Sequence, residues 1–332
     1  MLPVLITLLF AQATGTHVAG QPYSRYATTD ALGRSVTFYV SEVPERGEPL
    51  PLAVFIQGSG CHSVFRREGE RIVPTSGHAS LVDAVAGRAR GLIVEKPGVE
   101  PFDAPDSMDA RSCSETFRKE HSLARWTQAI EASMEAARRL PGVKPDGALI
   151  IGHSEGALVA CRVARERPGI VSHEADVAGG AASQLASLVV LAREGRLMEE
   201  ASSDPDERVR LLLDGWRKVQ AAPEATDRYF LGHPYLRWSS FLASSPMEEL
   251  AVVDARIRIA QGLADEAVDA GSAELLAAHL IARGRDVTLD LVPGASHDFR
   301  IPGEPSRDGW REMLDRAVAW WLPAAAPWPH AL

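Results

Sequence analysis

The chain has 332 residues, of which 45% are hydrophobic and 24% charged, the balance of a folded globular protein rather than a disordered segment or a fibre. Its 44 acidic residues outnumber 35 Lys and Arg, for a formal net charge of −9; a nucleic-acid partner would need a strongly local basic patch, and none is found. The length fits two domains, or one α/β unit carrying an insertion.

Leu2 to Phe10 is almost wholly apolar and is followed by small residues at Ala11-Gln12-Ala13 and Val18-Ala19-Gly20. Residues 1–20 therefore read as a secretory leader, and the protein is expected to be exported to the periplasm or beyond. Its apolar run is shorter than the roughly 20 residues of a bilayer span, so no stable membrane span is expected. A cytoplasmic location is the alternative, because no Lys or Arg precedes the run. No Cys follows either small-residue site, which gives a lipid-modified N-terminus no support.

Ser35 to Val40 (SVTFYV) and Leu52 to Gln57 (LAVFIQ) are β-branched and aromatic runs bounded by Gly, Pro and charge, and are predicted strands. Gly91 to Glu95 (GLIVE) and Ala148 to Ile151 (ALII) are short continuous apolar runs, as in strands buried on both faces of a parallel sheet. Between them Leu123 to Leu140 spaces Ala124, Ile130, Met134 and Ala137 near helical period and stops at Pro141-Gly142. Strand, helix, strand is the βαβ unit of an α/β protein.

Residues 21–180 form the first part of that core. Residues 181–250, rich in Ala, Leu, Glu and Arg with helical periodicity, read as a helical cap inserted over the sheet. The core resumes over 251–322: strand Arg256 to Gln261 (RIRIAQ), helix Ser272 to Arg283 closed by Gly284, strand Val287 to Val292 (VTLDLV), and helix Gly309 to Leu322. Residues 323–332, with three prolines, are expected to be irregular, and the chain has no internal repeats.

Gly152-His153-Ser154-Glu155-Gly156 follows the strand Ala148 to Ile151 directly and opens the helical run Ala157 to Arg165. This is the G-x-S-x-G pattern of a nucleophile elbow in its required strand-to-helix setting. The sharp turn lifts the Ser154 hydroxyl above the sheet, side chains at 152 and 156 would collide with neighbouring elements, and the Glu155 N–H sits at a helix N-terminus where it stabilises an anion. A serine hydroxyl needs a base, and the base an orienting carboxylate. Asp265, in Gly262-Leu263-Ala264-Asp265, follows one late strand, and His297, in Gly294-Ala295-Ser296-His297-Asp298-Phe299, follows the next. A duller reading makes Ser154 a helix N-cap, His297 a surface residue and Asp265 a turn cap, with Glu266 or Asp269 then the acid.

With Ser154, Asp265 and His297 in that order, the chain over roughly residues 35 to 322 resembles the α/β-hydrolase-fold serine hydrolases, and among them bacterial esterase-like members with a GHSEG elbow. The resemblance implies a mostly parallel sheet flanked by helices, a Ser154–His297–Asp265 triad, and a second oxyanion donor from the loop Gln57-Gly58-Ser59-Gly60-Cys61-His62. Where the family often has His, this chain has Gln57; Ser59 is then the matching backbone donor beside Glu155, with Gly60 second choice. The implied function is cleavage of a carboxylic ester on a small-molecule acyl substrate through an acyl-enzyme, with no cofactor or metal. Alternatives are a thioesterase or small peptidase of the same fold, and, in another class, a non-catalytic ligand-binding protein of that fold.

Cys61, Cys113 and Cys161 are too few for a disulfide scaffold and are not spaced for zinc. In an exported protein the expected pair is Cys61 with Cys113, both in predicted loops, against Cys161 on a predicted buried helix; three unpaired thiols are the alternative. His62 is placed to touch substrate or to satisfy its own loop, and His153 to pack beside the elbow. Arg66, Arg67 and Arg71 with Glu68 and Glu70 read as a solvated face. Trp216, Tyr229, Phe230, Tyr235, Trp238 and Phe241 either line the substrate pocket or pack the cap.

Overall fold

A computed structural model describes residues 15–42, 47–75, 77–107 and 109–322. The apolar run of the predicted leader and the tail 323–332 lie outside the described residues. The strands are β1 (Thr16–His17), β2 (Tyr23–Thr29), β3 (Ser35–Ser41), β4 (Leu52–Ile56), β5 (Phe65–Glu68), β6 (Arg71–Pro74), β7 (Arg90–Val94), β8 (Ala148–His153), β9 (Val171–Val177), β10 (Tyr229–Phe230), β11 (His233–Pro234), β12 (Arg256–Gly262) and β13 (Val287–Val292). The helices are α1 (His78–Val85), α2 (Glu115–Glu120), α3 (Leu123–Ala137), α4 (Glu155–Glu166), α5 (Gln184–Arg193), α6 (Pro205–Gln220), α7 (Tyr235–Leu242), α8 (Pro246–Leu250), α9 (Gly271–Ile281) and α10 (Gly309–Trp321).

Nine strands form one sheet in the order β1-β2-β3-β7-β4-β8-β9-β12-β13. The six from β7 to β13 run parallel, while β1, β2 and β3 pair antiparallel along one edge. Successive side chains of a strand point to opposite faces, so continuous apolar runs need cover on both. Val54, Leu92, Ile150 and Ile259 face Trp126 and Ile130 of α3, Val159 of α4 and Leu276 of α9. Phe55, Ile93 and Ile151 face Leu81 of α1 and Leu314 and Val318 of α10. All six predicted strands are present; β1 and β2, short or half-exposed, carry no apolar run by which the sequence would declare them.

β9 is the central strand that hydrophobic pattern misses. Its sequence, Val-Ser-His-Glu-Ala-Asp-Val, puts Glu174 and Asp176 on one face, fully buried against Cys161 of α4. The Gly179 N–H donates to Asp176 Oδ1 at 3.0 Å. Burial and the neighbouring Asp176 push the Glu174 carboxyl well above its ordinary range, and burial pushes Asp176 up to about 7. Carboxyls raised in the folded state contribute stability that is full below the ordinary carboxylate pKa near 4 and is lost as pH rises through the folded value. Thermal melts followed by circular dichroism are therefore expected to show the native protein losing stability between pH 5 and 8. Asp176→Asn, still able to accept the Gly179 N–H, should melt above the native protein at pH 8 and close to it at pH 5; parallel pH slopes for the two would contradict this reading of the strand.

Residues 181–250 hold the helices α5 to α8, joined by irregular loops and the short β10–β11 hairpin. α5, α6 and α7 have their own core of Leu188, Ala192, Leu212, Val219, Trp238 and Leu242, while Leu250 of α8 is buried in the main core with α4 and α9. Among the described residues, no helix is long and apolar enough to cross a membrane.

Candidate active site

The parallel strands deliver their following loops to one edge of the sheet: β4 leads to Gln57–His62, β8 to Ser154, β12 to Asp265 and β13 to His297. Ser154 joins β8 to α4 with φ 55° and ψ −122°, a conformation rare for a residue with a side chain and held here by its surroundings. The Ser154 N–H is tied to the Val177 carbonyl of β9 at 2.9 Å. Close approach explains both glycines. A Cβ on Gly152 would lie 2.3 Å from the Gly156 carbonyl oxygen, and one on Gly156 would lie 2.3 Å from the Gln57 carbonyl oxygen. Their absence lets the elbow sit against the end of β4. Glu155 is the first residue of α4, so its N–H has no acceptor within the helix and is free for an anion.

His297 Nδ1 donates to Asp265 Oδ2 at 2.8 Å. The acid is buried and fully bonded: Gln261 Nε2 donates to the same oxygen at 2.8 Å, and the Ala267 and Val268 N–H groups donate to Oδ1 at 2.7 and 2.9 Å. Burial alone would raise the Asp265 carboxyl. The bond to His297, its positive charge when protonated, and the two backbone N–H groups outweigh burial and hold the acid below the usual range. Neither Glu266 nor Asp269 bonds to His297; Glu266 is exposed and the Asp269 carbonyl caps the start of α9. The two loops are joined by the Ala264 N–H donating to the Ala295 carbonyl at 2.9 Å.

His153 braces His297. Its ring lies 4.7 Å from that of His297, its Nε2 is 3.2 Å from the His297 carbonyl oxygen, and Trp310 packs edge-on at 4.6 Å. Burial, then the adjacent His297, lowers His153 to about 3, so the ring is neutral and Nε2–H serves as donor. Ser154 and His297 line one cavity of about 450 Å³ with Gln57, Gly58, Ser59 and His62. Among the described residues the Ser154 hydroxyl has no hydrogen-bond partner, so its link to the imidazole is not closed in this structure.

The Gln57–His62 loop is tightly held. Gln57 Nε2 donates to the His62 carbonyl at 3.1 Å, a brace across the loop. Ser59 lines the cavity and Gly60 does not, and a Cβ on Gly58 would lie 3.2 Å from Ser154 Cβ. Two residues just past β7, which the sequence analysis did not single out, clamp the loop from beneath. Glu95 accepts from Ser63 Oγ at 2.6 Å and from the Val64 N–H at 3.1 Å, and Lys96 Nζ donates to the Gly58 and Gly60 carbonyls at 2.5 and 2.6 Å. Cys61 and Cys113 are disulfide-bonded with Cα atoms 5.9 Å apart, and Cys161 is a buried free thiol.

Behind Ser154, buried Glu155 accepts from Arg237 Nε of α7 at 2.7 Å and lies 2.8 Å from His121 Nε2. Burial would raise Glu155, but Arg237, His121 and Lys96 outweigh it and keep the carboxylate well below its ordinary range. The elbow is thereby pinned to the cap. A second, smaller pocket of about 50 Å³ meets Ser154 from the cap side, with Leu158, Leu188, Phe241 and Val268 in its wall. Of the six aromatics noted in the sequence, Phe241 alone lines it; Trp216, Phe230, Tyr235 and Trp238 pack inside the cap, and Tyr229 packs beside the disulfide. Arg66, Arg67 and Arg71 are exposed on the β5–β6 hairpin, with Arg66 paired to Glu68 and reaching the cavity rim.

No protein-family model and no curated protein sequence matches the chain. Its fold is nonetheless shared with many solved structures. Est1E from Butyrivibrio proteoclasticus, solved with ferulic acid bound, is 18% identical with a TM-score of 0.57 over 88% of this chain and 99% of its own. A puromycin-hydrolyzing peptidase of Mycobacterium tuberculosis is 17% identical with a TM-score of 0.57, over 91% of this chain and 40% of its own. An acylaminoacyl peptidase of Pyrococcus horikoshii is 15% identical with a TM-score of 0.56, over 90% and 40%. The chain thus spans under half the length of either peptidase and nearly all of Est1E. Sheet order, helical cover and these likenesses together identify the fold as the α/β-hydrolase fold.

Proposed function

We propose that the chain is a serine hydrolase that cleaves a carboxylic ester through an acyl-enzyme on Ser154. What carries this reading is the juxtaposition of a strained serine elbow and a carboxylate-bound imidazole on the wall of one cavity. His297, oriented by Asp265, takes the Ser154 proton as the hydroxyl attacks the ester carbonyl; the Ser59 and Glu155 N–H groups hold the oxyanion. The protonated imidazole then gives its proton to the departing alcohol. Water, activated by the same imidazole, attacks the acyl-enzyme and restores the free serine. The triad and the oxyanion donors supply the whole relay, with no step assigned to a metal or cofactor.

The cap-side pocket is small and mostly apolar, with Gln184 and Ser187 also in its wall, which suits a short acyl or alcohol group, while the larger cavity, more polar, suits the remainder of the substrate. Turnover of p-nitrophenyl esters is expected to fall steeply from acetyl and butyryl to octanoyl. An acyl thioester and aminoacyl amides in the same panel separate the thioesterase and peptidase readings. A protein that no fluorophosphonate labels, and that turns over none of these compounds, is a binder and not an enzyme.

We also infer export. The disulfide is supported by an oxidising compartment. Removal of the leader after Ala13 would keep β1, whereas removal after Gly20 would delete it and the Val18 N–H bond to the Tyr23 carbonyl. N-terminal sequencing of the protein from periplasmic and cytoplasmic fractions of an expressing bacterium decides between export and retention.

A further inference from the structure

We propose that Lys96 is a positioning residue for the oxyanion hole: its ammonium fixes the two carbonyls that flank Ser59 and polarises the peptide whose N–H is to meet the oxyanion. The inference rests on the acyl-transfer reading of Ser154. The Gly58 carbonyl and the Ser59 N–H are the two ends of one amide. A trans peptide is planar, with C=O and N–H directed oppositely, so holding the oxygen fixes the direction of the hydrogen. Lys96 Nζ holds that oxygen at 2.5 Å from the buried side, and Ser59 lines the cavity on the other. Gly58 is also the loop residue against the nucleophile, its Cβ position 3.2 Å from Ser154 Cβ. The second bond, to Gly60 at 2.6 Å, fixes the next amide but one and closes a clamp around Ser59.

The charge matters as well as the geometry. Lys96 is 2% exposed, and among the described residues no carboxylate lies within ion-pair distance of its Nζ. Its nearest partners are the two carbonyls and the face of Trp126, whose ring centre is 4.4 Å away. A cation on a carbonyl draws electron density from the amide and makes its N–H a stronger donor, and in a dry interior this effect is large. A neutral side chain of the same length would fill the space without the cost of desolvating an ammonium.

The groups around Lys96 come from several elements. Glu95 beside it and Glu155 of α4 favour its charged form, and Arg237 of α7 opposes it. His62 in the loop, His78 of α1, His121 just past α2 and His233 of β11 all feel its charge and are lowered by burial first. Burial, the largest influence, brings Lys96 down to about 8. The cation is therefore present at neutral pH and lost as pH rises through that value.

The test uses the full chain, with fluorophosphonate labelling of Ser154 and p-nitrophenyl acetate turnover as readouts. In folded Lys96→Met, labelling rate and kcat are expected to fall about 10- to 100-fold, below the roughly 10²- to 10³-fold cost of losing an oxyanion donor outright because here the donor is weakened and not removed, with KM nearly unchanged. The native protein should lose labelling rate from pH 7 to 10 while its circular dichroism is constant, and Lys96→Met should lack that alkaline limb. A folded Lys96→Met that labels at the native rate overturns the inference. So does a native profile that stays level or climbs to pH 10, which decides the matter alone if the variant does not fold. Absence of any Ser154 labelling in the native protein removes the acyl-transfer reading, and this inference with it; native labelling with an unaffected Lys96→Met removes this inference only.

Discussion

Ser154→Ala is expected to lower turnover by about 10⁶ while leaving the protein folded. The size of the loss follows from chemistry: without the hydroxyl there is no acyl-enzyme, and only binding and the oxyanion donors remain. The intact fold follows from structure. Alanine has the same backbone cost as serine at φ 55°, and the Ser154 hydroxyl makes no hydrogen bond among the described residues, so nothing buried loses a partner. The checks are ester turnover, fluorophosphonate labelling and a thermal melt of the variant beside the native protein. Turnover near the native rate in a folded variant would end the assignment of the nucleophile.

Asp265→Asn is the second large effect, an expected loss of about 10⁴ in kcat with little change in KM. The carboxylate accepts at both oxygens. Oδ1 takes the Ala267 and Val268 N–H groups, and Oδ2 takes His297 Nδ1–H and Gln261 Nε2. In the asparagine the carbonyl oxygen stays with the two backbone donors, which places the amide nitrogen opposite His297 and Gln261. Donor then faces donor. The imidazole responds by moving its proton to Nε2, and in that tautomer it is unable to accept the proton of Ser154. Gln261, left facing an NH₂ group in a buried site, should also cost a measurable drop in melting temperature. A variant that retains kcat within tenfold of native would show that Asp265 is not the acid that orients His297.

The elbow was fully legible because its constraints are local. Gly152 and Gly156 exist to let the backbone pass within contact of Ala157 and Gln57, and a strand-to-helix turn with small residues on either side of a serine has few other uses. Asp265 and His297 were legible through order: each follows a strand that hydrophobic runs make visible, and parallel strands bring their ends to the same edge. Buried strands with polar faces were not. β9 reads as Ser, His, Glu and Asp because its partner is Cys161 and not an apolar helix face, and nothing in a one-dimensional pattern records a buried carboxyl pair. Strand β2, second from the edge, carries no apolar run that stands out, and α1 is a two-turn helix without a capping side chain.

By itself the sequence determined six of the sheet strands and the helices α3, α4, α9 and α10 that pack on them, the position of the serine turn, and the candidate acid and base, since each depends on residue type at short range: β-branching, apolar period, glycine. Only the tertiary structure decided which of Asp265, Glu266 and Asp269 meets the imidazole, that Ser59 rather than Gly60 faces the cavity, that Phe241 is the one cap aromatic beside Ser154, and that Lys96 grips the loop. These depend on where distant segments come to rest. A buried lysine looks like any surface lysine until the fold removes its water and leaves it two carbonyls to hold.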